Sequence, residues 1–182
     1  MPFSADAIAN FFLDKAAEEQ LGLSPMKLQK LVYFAHGWHF AINGTPLINE
    51  QVEAWKFGPV IRSLYHEFKS AGNQAITERA YRHEVLKKDG RLNFRQWVAA
   101  VDQEARSPEE TSEIVAFLNR IWDVYGRYTG VQLSRLTHLA GSPWDTVCKA
   151  WNGDPPKGTD IPQDLIREYF SKLSAESPNV AR

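Results

Sequence analysis

The chain has 182 residues, a net charge of −1 and an isoelectric point of about 6.5. This length predicts one domain that can bury a core without disulfides or metals. The near-neutral charge gives no bulk attraction to nucleic acid or to an anionic membrane. A single cysteine, Cys148, excludes an intrachain disulfide and is typical of a reducing compartment. Because neither a secretion signal nor a membrane-spanning apolar stretch is evident, we expect a soluble cytoplasmic protein.

Two helix-start signals occur in the first 30 residues. Ser4 precedes an apolar pattern of helical period, and Ser24-Pro25 is an N-cap followed by proline at the first helical position. The second half of the helix predicted over 27–42 is apolar nearly all round, and Gly44 ends it. A helix of that kind is buried in a core or an interface. We therefore predict that this helix is central to the fold.

The next 60 residues contain the non-helical part of the chain. Residues 45–48 and 52–55 have the pattern of two short extended pieces. Gly58-Pro59 then predicts the turn into a helix, with proline presetting its first turn. Residues 72–93 are charged and weakly periodic, and Asp89-Gly90 is a turn signal, which indicates a surface excursion or a hairpin.

Further helix-start signals follow in the second half of the chain. Ser107 with Glu110 has the spacing of a capping box, and Thr129-x-x-Gln132 can cap a short helix. Ser142-Pro143 repeats the arrangement of an N-cap followed by proline. A last helix begins near Pro162, and the polar tail over 174–182 is expected to fray. The leucines at 133, 136 and 139 are predicted to face the core. Together these signals predict a mainly α, compact single-domain fold of about six to eight helices with a short β-hairpin-like extended segment.

The histidines and the cysteine are the candidates for catalysis or metal binding. His36 and His39 lie three apart on one helix, but a zinc site needs three or four ligands and none is spaced to complete it. His138 and Cys148 could form a base and a nucleophile, yet no activating sequence surrounds the thiol. Phosphate-binding glycine loops and hydrolase motifs do not occur. We therefore predict no catalytic residue, no metal and no cofactor, and keep a His/Cys enzyme as an alternative.

Three lysines alternate with aromatic residues and suggest a second alternative, a nucleic-acid interface. Lys27, Lys30 and Lys56 are interleaved with Tyr33, Trp38 and Trp55. Lysine stems that cover an apolar helix while their ammonium groups reach water explain the same pattern. The near-neutral overall charge favours the structural explanation, in which the lysine stems cover the helix, over a nucleic-acid interface.

Four sequence blocks together resemble the Panacea family of bacterial and phage-associated proteins, which includes the SocA-like antitoxins. The blocks span 26–39 (MKLQKLVYFAHGWH), 53–60 (EAWKFGPV), 133–138 (LSRLTH) and 142–144 (SPW). The order and spacing of the blocks match together, over roughly residues 8–170. Residues 72–106 match least. The motif residues with expected structural roles are Leu28, Leu31, Tyr33, Trp38, Trp55, Gly58, Pro59, Pro143 and Trp144.

The resemblance implies a small helical protein that neutralises a protein toxin encoded beside it. Within the family, one mode is delivery of the toxin to an ATP-dependent Clp protease and another is direct binding, and the resemblance does not decide between them. No catalytic residues come with the family. The polar motif residues expected to reach a partner are Lys27, Lys30, Lys56 and His138. Membranes and nucleic acid are not expected partners.

Overall fold

The fold is mainly α-helical, as a computed structural model of the chain shows. The structure describes residues 2–88 and 91–176. This part contains eight α-helices and two antiparallel hairpins, which confirms the predicted fold class. In chain order the elements are α1 (Ala5–Glu18), α2 (Pro25–Asn43), β1 (Val52–Trp55), β2 (Gly58–Ile61), α3 (Arg62–Phe68), a 3-10 turn (Lys69–Ala71), β3 (Tyr81–Lys88), β4 (Arg91–Val98), α4 (Val101–Glu104), α5 (Pro108–Tyr125), α6 (Gly130–Thr137), α7 (Pro143–Ala150) and α8 (Gln163–Glu176). None of the described helices is long and apolar enough to cross a membrane.

Helix α2 is the centre of the fold, as predicted. Its N-cap Ser24 accepts a hydrogen bond from the backbone N–H of Lys27, and Gly44 ends the helix in the left-handed conformation. The helix lies against α1, α5, α6, α8 and β2, so every face of its middle turns is covered. Such burial on all sides explains why apolar residues surround the helix instead of forming one stripe.

Helices α2 and α8 pack closely at Gly37. The edge of the Phe170 ring in α8 lies so near that a Cβ at Gly37 would stand 2.3 Å from it. Phe170 is fully buried and also contacts the rings of Tyr33, Phe34 and Trp38. Glycine is therefore required at this position by the approach of α8 and not by the backbone conformation of α2.

The first hairpin differs from the sequence prediction at its second strand. Strand β1 pairs with β2 through a register that runs from Val52 opposite Ile61 to Trp55 opposite Gly58. Pro59 therefore lies within a strand, and α3 begins only at Arg62, so the prediction that proline starts the helix was wrong. Proline is tolerated here because β2 is an edge strand.

The second hairpin, which we call the ribbon, consists of β3 and β4 and occupies the predicted surface excursion. Buried Asn10 holds its base, because its side-chain N–H groups donate to the carbonyls of Ala80 and Ala99 at 2.8 Å each. Tyr81, Val85 and Leu92 share one face by register and are 41%, 59% and 62% exposed. The predicted turn at 89–90 lies outside the described residues.

Other local predictions have mixed outcomes. The Thr129–Gln132 capping box is present. Ser107 caps α5, but the Glu110 carboxylate accepts from the backbone N–H of Arg106 at 2.6 Å, so that capping box is incomplete. Leu139 is 52% exposed and does not face the core as expected, since α6 ends at Thr137. Helix α8 continues to Glu176, beyond the expected start of fraying, and residues 177–182 lie outside the described part.

Candidate functional site

The turn between β1 and β2 brings all four sequence blocks together. Lys56 and Phe57 form the turn itself, and both are exposed, with Phe57 62% accessible. The Lys56 ammonium lies 5.8 Å from the centroid of the Phe57 ring. Gly58 and Pro59, which follow directly, are buried. The turn therefore exposes the side chains of Lys56 and Phe57 to solvent, whereas the strand residues that follow it are buried.

Helix α2 fixes one side of the turn by satisfying the outer edge of β2. The Gln29 side chain accepts from the N–H of Ile61 at 2.9 Å and donates to its carbonyl at 3.0 Å. The Lys30 Nζ donates to the carbonyl of Pro59 at 2.9 Å. Two helix side chains thus take the place of a third strand. An edge whose backbone groups are already paired does not recruit another strand.

Helices α6 and α7 fix the other side of the turn. The Ser134 hydroxyl donates to the carbonyl of Phe57 at 3.0 Å, and the Trp144 indole N–H donates to the carbonyl of Trp55 at 2.7 Å. His138 packs on Trp144 with 3.8 Å between the ring centroids, and its Nδ1 donates to the carbonyl of Ser134 at 2.5 Å. His138 therefore supports the residues that hold the turn.

The base of the hairpin is held by an ion pair. The Glu53 carboxylate accepts from Arg62 Nε at 2.6 Å, from Arg62 Nη2 at 3.0 Å and from the Trp55 indole N–H at 2.8 Å. The Arg62 guanidinium holds the pKa of Glu53 below its usual range. On its far side, β1 is covered by the backbone of residues 159–161. Both edges of this hairpin are consequently occupied.

The three lysines predicted to share a surface do not do so. Lys30 is only 2% exposed, which contradicts the expectation that it reaches a partner. Lys27 is half-buried, and its Nζ donates to the carbonyl of Gly126 at 2.5 Å. Only Lys56 is exposed at the turn. The three lysines therefore do not form the surface that a nucleic-acid interface would need. The amine of Lys30 is buried, and that of Lys27 is hydrogen-bonded to the carbonyl of Gly126.

The side-chain amine of Lys30 has an unusual environment for a lysine, because the fold buries it away from water. Burial lowers the pKa of Lys30 to about 7, and no carboxylate among the described residues counteracts this shift. Between pH 7 and the usual pKa of 10.5, the folded protein therefore binds fewer protons than the unfolded chain. The free energy of unfolding must then rise with pH across this window, by at most about 1.4 kcal/mol per pH unit.

A Lys30→Met variant tests this linkage. From pH 7 to pH 9 we expect the wild-type protein to gain about 2 kcal/mol in the free energy of unfolding relative to Lys30→Met. Urea titrations at pH 7, 8 and 9 measure the difference. Lys69→Met is the matched control, because Lys69 is exposed, and it should follow the wild type. Parallel pH profiles of wild type and Lys30→Met would show that the amine stays charged in the fold.

The side chains of His36, His39 and Cys148, the other candidates for catalysis or metal binding, are buried. His36 is fully buried between the side chain of Gln163 at 3.1 Å and the N–H of Ile48 at 3.4 Å. His39 Nδ1 donates to the carbonyl of Thr45 at 2.9 Å. Burial raises the pKa of Cys148, which keeps its thiol protonated and disfavours a nucleophile. Among the described residues, no group of three or more His, Cys, Asp or Glu side chains is arranged to hold a metal.

An open cleft of about 510 Å³ lies beside the turn. Its lining includes the aromatic side chains of Trp55 and Trp144 and the charged residues Lys56, Asp154 and Lys157. Sequence reasoning did not select Phe57 or Lys157. The available signal for Phe57 was a large apolar residue in a two-residue hairpin turn, where polar residues and glycine are usual.

Comparison with known proteins places these elements in a family. The family profile described as "Antitoxin SocA-like, Panacea domain" matches residues 28–145, a span that contains Lys30, the turn, His138 and Trp144. The chain is also 35% identical over 176 residues to "Antitoxin SocA" of Caulobacter vibrioides (strain NA1000 / CB15N). That alignment covers 96% of this chain and 87% of the relative. No solved structure matches the chain significantly.

Proposed function

Because the chain belongs to the Panacea-domain family of SocA-like antitoxins, we propose that it binds and neutralises a protein toxin encoded beside it. The observation that supports contact at this site is the convergence of the four family blocks on one turn. Side chains from α2, α6 and α7 hold the backbone of that turn while Phe57 stays exposed. Exposed aromatic side chains on a rigid base are typical of protein–protein contacts.

The proposed contact surface includes only part of the residues expected from the sequence. We assign Lys56 to direct contact and His138 to the margin of the surface, where it is half-buried against Trp144. Lys30 is a positioning residue, because its amine acts on the partner surface only through the carbonyl of Pro59. Lys27 has its amine bound to the α5 cap at Gly126 and is not assigned to the surface.

The family supports a non-enzymatic role, in which neutralisation occurs either by direct binding or by delivery of the toxin to a Clp-type protease. The two modes predict opposite fates for the toxin. Direct binding leaves the toxin present in an inert complex. Delivery shortens its half-life, and deletion of the protease should lengthen it again.

Co-expression with the product of the neighbouring gene tests the proposal. We expect the neighbouring product alone to arrest growth and this protein to relieve the arrest. Toxin level and half-life, measured with and without the Clp protease, then separate the two modes. Growth arrest that this protein does not relieve, with no complex recovered from the cells, would contradict both.

A further inference from the structure

We infer that the toxin docks an acidic segment on the β1–β2 turn and places an apolar side chain between Phe57 and the cleft walled by Trp55 and Trp144. This inference rests on the proposed function and adds the place and the chemistry of the contact. The occupant is a polypeptide segment of the toxin whose apolar side chain is flanked by carboxylates.

The apolar part of the argument comes from the exposed side chains around the turn. Phe57 is 62% exposed at the turn, and the half-buried side chains of Trp55 and Trp144 line the cleft that begins at the neighbouring Lys56. Val131, which is 56% exposed, lies one helical turn before Ser134, whose hydroxyl binds the Phe57 carbonyl. Exposed apolar side chains near one another are typical of interaction sites, and aromatic residues dominate the binding energy of such sites.

The charge of the cleft rim identifies the kind of occupant. Lys56 and Lys157 line the cleft and are exposed, whereas Asp154 is the one acidic residue in the described lining. The nearby Glu53 carboxylate is bound by Arg62 and Trp55 and contributes little unpaired charge. The lining of the cleft therefore carries two lysines and one carboxylate, on a chain whose net charge is −1. Charge complementarity then favours carboxylates on the docked segment.

The hydrogen bonds beneath the turn make it suited to this role. The carbonyls of Trp55, Phe57 and Pro59 each accept a bond from a side chain of another element. A surface that is already ordered loses little conformational entropy on binding, and more of the contact energy then appears as affinity. The ribbon also offers an exposed apolar face, but it lies in the part of the chain with the weakest family resemblance.

The apolar arm of the test compares two substitutions of equally exposed residues. Phe57 at the turn and Leu92 on the ribbon are both 62% exposed. We expect Phe57→Ala to weaken binding of the neighbouring gene product at least about 30-fold, and Leu92→Ala to change it less than about threefold. Calorimetry measures both affinities, and the melting temperatures of both variants should stay within about 2 °C of wild type, because each side chain is mainly exposed.

The charge arm uses reversal of the two rim lysines. We expect Lys56→Glu/Lys157→Glu to weaken binding about tenfold or more and to reduce its dependence on salt concentration. Lys69→Glu/Lys172→Glu makes the same charge change at exposed sites outside the cleft and should leave the affinity near that of the wild type.

The outcomes separate this inference from the proposed function. Unchanged binding by Phe57→Ala, or loss of binding confined to Leu92→Ala, would overturn the turn as docking site while the antitoxin role stands. Binding that is unchanged or tightened by Lys56→Glu/Lys157→Glu would overturn the acidic occupant. A wild-type protein that neither binds nor neutralises the neighbouring product would contradict the proposed function itself.

Discussion

Replacing Gly58 with valine is expected to lower the free energy of unfolding by about 3–5 kcal/mol and to abolish neutralisation. Gly58 has a φ of +99°, a region that β-branched residues resist. In addition, its Cβ would stand 2.6 Å from Thr137 Oγ1 and 2.8 Å from Lys30 Nζ. Both effects act on the backbone that carries Phe57. Urea titration gives the stability, and co-expression with the neighbouring gene gives the activity.

The Gly44→Val variant separates the cost of the positive φ from the cost of the steric contacts at Gly58. Gly44 has a φ of +68°, but no atom lies within 4 Å of the position its Cβ would take. We expect this variant to lose only the conformational part, about 1–3 kcal/mol, and to retain neutralisation. Equal losses in the two variants would show that the contacts with Thr137 and Lys30 yield, and that the turn tolerates a side chain at Gly58.

Replacing Trp38 with alanine should cost about 3–5 kcal/mol, because it removes a large side chain from the centre of the core. The indole is 3% exposed and packs edge-on to Phe170 with 5.5 Å between centroids. Its N–H donates to the Tyr125 hydroxyl at 2.8 Å, so the substitution also removes a partly buried hydrogen bond. The variant should unfold at a much lower temperature or fail to fold.

Trp151→Ala is the matched control, since Trp151 is 49% exposed. The same loss of an indole there should change the melting temperature little. A Trp38→Ala protein that melts within a degree of wild type would contradict the core position of Trp38. It would also make Trp38 a candidate for the partner surface.

Helix boundaries and the central helix could be predicted from the sequence because their causes are local. Ser24 followed by proline, Thr129 with Gln132, and Gly44 act on backbone groups within four residues of themselves. The nearly continuous apolar surface of α2 likewise predicts burial without knowledge of its neighbours. Where a local rule failed, a competing contact explains it: Glu110 binds Arg106 in place of the Ser107 N–H.

The roles of the polar motif residues could not be predicted in the same way. Lys30 on a helix is normally a solvated cation, and the sequence contains no sign that β2 would lie over it. Gln29 binds Ile61, 32 residues away, and Trp144 binds Trp55, 89 residues away. Pairings across such separations depend on how the helices pack, so the assignment of Lys30 to a surface was wrong while that of Lys56 stays a proposal.

The sequence by itself determined the family, the mainly helical class and the positions of most helix ends, since motif order and capping chemistry are properties of the chain. Only the tertiary structure decided which motif residues are buried and which face solvent. Packing of α2, α6 and α7 against the hairpin buries Gly58 and the Lys30 amine and leaves Phe57 and Lys56 exposed. The physical reason is that a backbone carbonyl in a hairpin must find a donor, and that donor comes from a distant part of the chain.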